Sequence, residues 1–214
     1  MNRRYLDEVL ESTPRIRFDN RKVYGVGIND SQFQVTMWCN NQKVQHSAYA
    51  TWKGILQRCY SNKFQKNYPT YSGCSICEEW KLFSNFLKWW KTNFKEGYQI
   101  DKDITSPGNK VYSPESCVFV PPDLNGFVTD CEARGNIYAI GVTYDKPRGK
   151  FRARIWDNGK LITLGLYDTE KEAHESWYER KISIAHKFKP ICDDINESFF
   201  NCLLMKIESM RVEL

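Results

Sequence analysis

The stretch Gly141–Trp177, GVTYDKPRGKFRARIWDNGKLITLGLYDTEKEAHESW, decides how this chain is read. Within it, Gly141–Tyr144, Phe151–Trp156 and Leu161–Leu164 carry strand-forming residues at strand length, separated by turns at Pro147–Gly149 and Asp157–Gly159. Asn158–Gly159 marks a tight hairpin, because both central positions of a primed turn need positive φ. Side chains alternate faces along a strand. Phe151, Ala153 and Ile155 therefore share one face, and Arg152, Arg154 and Trp156 share the other. Thr169 and Glu172 form a capping box that opens a helix. The stripe Ala173, Trp177, Ile184 and Phe188 on that helix is suited to cover the Phe151–Ala153–Ile155 face, and the small Ala153 permits close approach. The expectation is a three-stranded antiparallel sheet packed on one helix, with the arginine face free.

Charge sharpens that expectation. The chain has 214 residues, 41% hydrophobic and 14% aromatic, enough for a core, and a formal net charge of only +5. Between Gly141 and Gly165, however, six basic residues (Lys146, Arg148, Lys150, Arg152, Arg154, Lys160) face two acids, Asp145 and Asp157, whereas Ile191–Leu214 is net acidic. Positive charge gathered on one element is the footprint of a phosphate binder. Arginine forks grip phosphates or read guanine edges, and a β-ribbon fits the major groove of DNA. Alternatively, Arg152 and Arg154 form the solvated side of an ordinary sheet.

The same stretch resembles an AP2-type DNA-binding domain, in the form appended to phage and mobile-element endonucleases. The matching landmarks are Gly141–Val142, Gly149–Lys150–Phe151, Ala153, Ile155, Leu164–Gly165, Tyr167 and Ala173. The resemblance implies that the sheet lies in the major groove of double-stranded DNA, with Thr143, Lys150, Arg152, Arg154, Trp156 and Thr163 as contacts. Thr143 and Thr163 stand where plant members carry larger Arg or Trp side chains.

Outside this module the pattern implies an α+β chain in four segments. Residues 1–48 read as β-rich, with strands at Val23–Ile28 and Gln32–Trp38 around a turn at Asn29–Asp30. Residues 49–130 hold a helix from Tyr49 with Trp52, Ile55, Leu56 and Cys59 on one face, then a polar loop over Ser61–Gly73. A second helix is expected over Glu78–Phe94, its stripe being Trp80, Phe83, Phe86, Leu87 and Trp90 with Trp89 beside it. Strands at Tyr98–Ile104 and Cys117–Pro121 follow, with a short helix opening at Asp123–Leu124–Asn125. Asp130–Gly135 is the expected boundary to the module at 135–190, and 191–214 reads as a helical tail.

YQIDKDITSPGNKVYSPESCVFVPPDLN (98–125) resembles phage proteins of the HNH endonuclease type, as do YGVGI (24–28), ATWKGILQRCYS (50–61) and Cys77–Glu78–Glu79–Trp80 leading to Phe83, Phe86 and Trp89. The resemblance implies a ββα-metal hairpin in which Asp101 and Asn125 bind one cation. Oxygen ligands suit Mg²⁺ or Mn²⁺. Lys102 stands where the family has its catalytic His, and none of His46, His174 and His186 lies in this segment. Asp103, one pleat beyond Asp101, is the expected substitute base or second ligand, sharing a strand face with it. Otherwise Lys102 grips phosphate and the site no longer cuts, or the segment is an ordinary hairpin with solvated carboxylates.

Eight cysteines and no apolar leader favour an intracellular protein with thiols or metal ligands over a disulfide framework, and no run is long enough to span a membrane. Cys74-x₂-Cys77 has zinc-knuckle spacing. Cys117, with Cys131 or Cys59, would complete a Zn²⁺ site; buried free thiols are the alternative. The combined expectation is a DNA-binding protein of a phage or mobile element, in the cytoplasm of an infected bacterial host, cutting DNA with Mg²⁺. The alternatives are a non-catalytic DNA-binding regulator and a protein that binds a host protein to antagonise a nucleic-acid defence system.

Overall fold

A computed structural model describes residues 3–18, 21–129 and 137–212. The chain is α+β and divides into two units: Met1–Asp103 with Gly108–Val120, and Ile104–Pro107 with Pro121–Leu214. The boundary therefore falls at Val120–Pro121, and the boundary expected at Asp130–Gly135 lies outside the described residues.

The first unit opens with α1 (Arg3–Ser12), not with strands. The expected hairpin about Asn29–Asp30 does not form. The hairpin lies later, as β1 (Thr36–Cys39) and β2 (Gln42–Gln45), because Asn40 and Asn41 take positive φ (48° and 59°) and supply the primed turn. Asp30 acts elsewhere: its Oδ1 accepts from the Ser84 amide at 2.8 Å, capping a helix from outside its own segment. That helix is α4 (Phe83–Asn93), shorter than the expected Glu78–Phe94. The break at Leu82 has a cause. Ile28 N donates to Lys81 O (2.7 Å) and Phe83 N donates to Ile28 O (3.0 Å), which holds Leu82 extended after a 3₁₀ turn at Glu79–Lys81.

α2 (Ser47–Tyr60) buries Trp52, Ile55, Leu56 and Cys59 as its periodicity requires. Trp52 Nε1 donates to Trp80 O at 2.6 Å, and Phe83, Phe86 and Trp90 complete the same core. The stretch expected as a loop contains α3 (Asn62–Asn67), capped by Ser61 Oγ, and a 3₁₀ turn at Pro69–Tyr71. β3 (Ser75–Ile76) pairs in parallel with β5 (Val111–Tyr112). β4 (Gln99–Asp101) pairs antiparallel with β6 (Val118–Val120). His46 is fully buried, its Nδ1 accepting from the Ala48 amide (3.2 Å), so its Nε2 carries the hydrogen donated to Glu11 Oε1 (3.1 Å). Burial pushes the Glu11 carboxyl up, but bonds from Lys91 and His46 outweigh it and hold the group below its usual range.

In the second unit α5 (Pro122–Phe127) precedes an antiparallel sheet of order β7 (Val142–Asp145), β8 (Lys150–Asp157), β9 (Lys160–Tyr167). Asn158 and Gly159 take φ of 51° and 71°, so the tight turn is the one expected. α6 (Glu170–Lys187) begins with the full capping box and buries Ala173, Trp177 and Ile184 against β8, where Ala153 and Ile155 are also buried. Each such isoleucine contributes about 1.5–3 kcal/mol by leaving water. Gly141 takes φ +83°, and a Cβ there would lie 2.1 Å from Trp177 Cδ1, so only glycine lets Trp177 lie over the start of β7. The residues expected as a helical tail belong to this unit: α7 (Lys189–Asp193) leads to α8 (Phe199–Glu208), which packs on α6 and α7 and buries Phe199, Leu203 and Ile207. His174, stacked on Trp177, accepts at Nε2 from the Val212 amide (3.0 Å), and its Nδ1 lies 3.0 Å from Ile140 O.

Asp157, on the helix side of β8, is clamped by Arg180 (2.8 Å) and Lys187 (3.0 Å) of α6. The bond from Lys187, then that from Arg180, holds its carboxyl below the usual range despite burial. A depressed folded-state pKa adds stability above the unfolded value and loses it as pH falls through the folded one. The melting temperature should therefore drop below about pH 4, and the deficit of Asp157→Asn against wild type should shrink over that range; a deficit constant from pH 7 to pH 2 would contradict the clamp. Gly141→Ala, which adds left-handed strain and a clash with Trp177, should cost about 2–4 kcal/mol in urea unfolding.

Candidate nucleic-acid interface

The free face of the β7–β9 sheet follows from strand alternation plus one irregularity. Ala153 opposes Gly165, but Arg154 opposes Thr163, so Leu164 is the extra residue of a β-bulge. The bulge reverses the alternation of β9. Leu164 turns into the core, and Thr163 and Leu161 join Leu166 on the outer side. Cross-strand rows then run Thr143–Arg152–Leu166, Arg154–Thr163 and Trp156–Leu161. Trp156 is 64% exposed, Leu161 45% and Leu166 38%. Thr143, Arg152, Arg154, Trp156 and Thr163 are thus brought to one surface. The two leucines on it were missed, and their signal was the single extra residue needed to bring Leu164 inward.

The arginines on this face are not equivalent. Asp145 is buried and accepts from both Arg148 (3.0 Å) and Arg152. Burial pushes the Asp145 carboxyl up, yet the bonds from Arg148 and Arg152 outweigh that and hold it below its usual range. Arg152 is therefore partly committed inside the protein. Lys150 pairs with Asp168 at 2.9 Å in an exposed bridge, which is worth little. Arg154 has a long contact to Thr143 Oγ1 (3.5 Å), leaving most of its five N–H donors for a ligand. The site thus centres on Arg154 and Trp156.

The expected metal hairpin is placed differently. β4 and β6 pair as expected, but β4 ends at Asp101, so Asp103 lies in the following turn and does not share a strand face with Asp101. Asp101 Oδ1 accepts from the Asp103 amide at 2.8 Å, closing that turn. Lys102 is only 4% exposed. Its ammonium donates to Asp103 Oδ1 and to Asn109 O (2.7 Å) and lies 5.4 Å from the centre of the Tyr112 ring. Asn125 belongs to α5 of the second unit, whereas Asp101, Lys102 and Asp103 belong to the first.

Cys59, Cys74, Cys77 and Cys117 all pack in or against the core of the first unit, and Cys131 lies outside the described residues. Burial pushes the Cys59 and Cys117 thiols up to about 12, so they are thiols at neutral pH, and burial also raises Cys77. Among the described residues no three or more His, Cys, Asp or Glu side chains are grouped to hold a metal ion. Among them too, no helix is long and apolar enough to cross a membrane.

Compared with protein-family models, curated proteins and solved structures, the chain matches none.

If Lys102 is a buried structural cation, Lys102→Met keeps the apolar stem and deprives Asn109 O and Asp103 of their donor. This should cost about 1–3 kcal/mol in the unfolding of the first unit, followed by urea titration of tryptophan fluorescence. A wild-type midpoint would contradict the assignment.

Proposed function

We propose that this protein binds double-stranded DNA through the outer face of the β7–β9 sheet, as a DNA-binding protein of a phage or mobile element that does not itself cut. The observation that carries this reading is the Arg154–Trp156 surface, open on a sheet whose other side is covered by α6. Arg154 offers a fork for guanine O6 and N7 or for phosphate. Trp156, Leu161 and Leu166 offer apolar contact to thymine methyls in the major groove, and Thr143 and Thr163 offer short hydroxyls. Arg152, held by Asp145, positions its neighbours more than it reads bases.

Lys102 weighs against cutting. An HNH-type mechanism needs a base that activates water beside the metal. An ammonium that donates to Asp103 and Asn109 has no lone pair for that step, and Asp103 is engaged as its acceptor. Cutting with Mg²⁺ or Mn²⁺ would need Asp101 and Asn125 to hold the cation around this paired lysine. A second reading, docking to a host protein, is favoured by one observation: three large apolar side chains, Trp156, Leu161 and Leu166, are exposed together on the face.

Two measurements separate these readings. Arg154→Ala with Trp156→Ala should weaken duplex binding by about 1–3 kcal/mol, roughly five- to 150-fold, and lower the salt slope by about one. Undiminished binding would move the face to the host-protein reading. Supercoiled plasmid should stay intact with the protein in Mg²⁺ or Mn²⁺. Nicking that disappears in both Asp101→Ala and Asn125→Ala would restore the endonuclease.

A further inference from the structure

The first unit carries a charge feature that the sheet does not use. From Ser31 to Cys77 the chain contains no Asp or Glu, while Lys43, Lys53, Arg58, Lys63 and Lys66 lie within it. Two surface lysines elsewhere in this unit pair with carboxylates: Lys81 with Glu78 (2.6 Å) and Lys91 with Glu11 (2.7 Å). Lys63 and Lys66, both exposed on α3, make no ion pair or side-chain hydrogen bond among the described residues. Three residues apart on a helix, they occupy one side of it.

The segment that bears them is rigidly built. Gln65 Nε2 donates to the carbonyls of Arg58 (3.0 Å), Cys59 (2.7 Å) and Tyr71 (3.2 Å), tying α3 to the end of α2 and to the 3₁₀ turn. Phe64 packs on Tyr68 and Tyr71, with ring centres 4.6 and 5.7 Å away, and leaves Tyr68 51% exposed beside the lysines. Lys110 joins the same edge, its Nζ donating to Thr70 O at 2.9 Å, and it makes no ion pair among the described residues. Three cations and an exposed tyrosine are thus set on a fixed frame, and the Ser31–Cys77 segment that carries two of the cations and the tyrosine contains no acid. Such a surface lowers the folded state's own stability by self-repulsion and suits an anionic partner.

We propose that the surface formed by Lys63, Lys66, Tyr68 and Lys110 is a second nucleic-acid contact, gripping the phosphate backbone of duplex DNA without reading its sequence. The inference rests on the reading of the β7–β9 sheet as a duplex-DNA binder. It assigns a division of labour, in which lysines on the first unit neutralise phosphates and the sheet supplies base contacts. Lysine suits the first role, as a compact point charge on a flexible stem rather than a planar fork. Phosphate contacts add affinity and salt dependence and carry no sequence information.

The test uses the full chain and mixed-sequence duplex oligonucleotides, with anisotropy titrations from about 50 to 200 mM NaCl. Lys63→Ala with Lys66→Ala should make the salt slope shallower by about two, near 0.9 for each phosphate no longer neutralised, equally on unrelated sequences and with a circular-dichroism melt no lower than that of the wild type. Arg154→Ala with Trp156→Ala should change the slope by about one and relax sequence preference, and the two effects should add. If the lysine pair leaves the slope unchanged while the sheet variant weakens binding, the inference fails and the sheet reading stands. If neither variant matters, or the wild type does not bind duplex, both fail. A slope change of about 0.9 in Lys88→Ala, an exposed lysine of α4, the same per lysine as in the pair, would mean diffuse charge and no site. A loss confined to single-stranded RNA would also overturn the proposal.

Discussion

Ala153 is fully buried in one cluster with Ala173 of α6 and Val142 of β7, and the outer face of the sheet exists because of that contact. A methyl group facing a methyl group lets the helix lie close on the strand. Trp177 is then carried over Gly141, and Ile184 over Ile155. Since side chains alternate along β8, placing Ala153 beneath the helix obliges Arg152, Arg154 and Trp156 to point away from it. A larger residue at 153 would lift α6 and open the core, because interiors tolerate little extra volume. The candidate interface is thus a consequence of packing on its opposite side.

Electrostatics then sorts the basic residues. Counted along the chain, the module is strongly positive. In three dimensions much of that charge is committed: Arg148 and Arg152 to Asp145, Lys150 to Asp168, Arg180 and Lys187 to Asp157. A buried carboxylate must keep its partners, since an unpaired buried charge is costly. Asp145 and Asp157 therefore engage cations for stability and leave Arg154 as the arginine with most to offer a ligand. The same logic applies at Lys102, whose burial and pairing turn a residue at a candidate catalytic position into a brace for the turn after β4.

Much of this was legible in the residues. Alternation in β8, the Asn158–Gly159 turn and the Thr169–Glu172 capping box are local signals backed by strong local physics, and all three appear as expected. The burial of Trp80, Phe83, Phe86 and Trp90 followed from spacing as well. Other features were not legible, because their causes are distant in sequence. The break at Leu82 comes from pairing with Ile28, the cap of α4 comes from Asp30, and β3 finds β5 across the whole of α4 and β4. The bulge at Leu164 answers to the core beneath it.

By itself the sequence determined the α+β character, the three strands and long helix of the basic module, and which face of β8 carries Arg152, Arg154 and Trp156. Periodicity and turn chemistry act over a few residues, and the chain spells them out. Only the tertiary structure decided that Arg152 is tied to Asp145 while Arg154 is largely free, that Leu161 and Leu166 share the outer face, and that Lys102 is enclosed by Asp103, Asn109 and Tyr112. These outcomes depend on which side chains meet across strands and turns. Burial sets that, because it makes every charge and every methyl group answer to its neighbours in space.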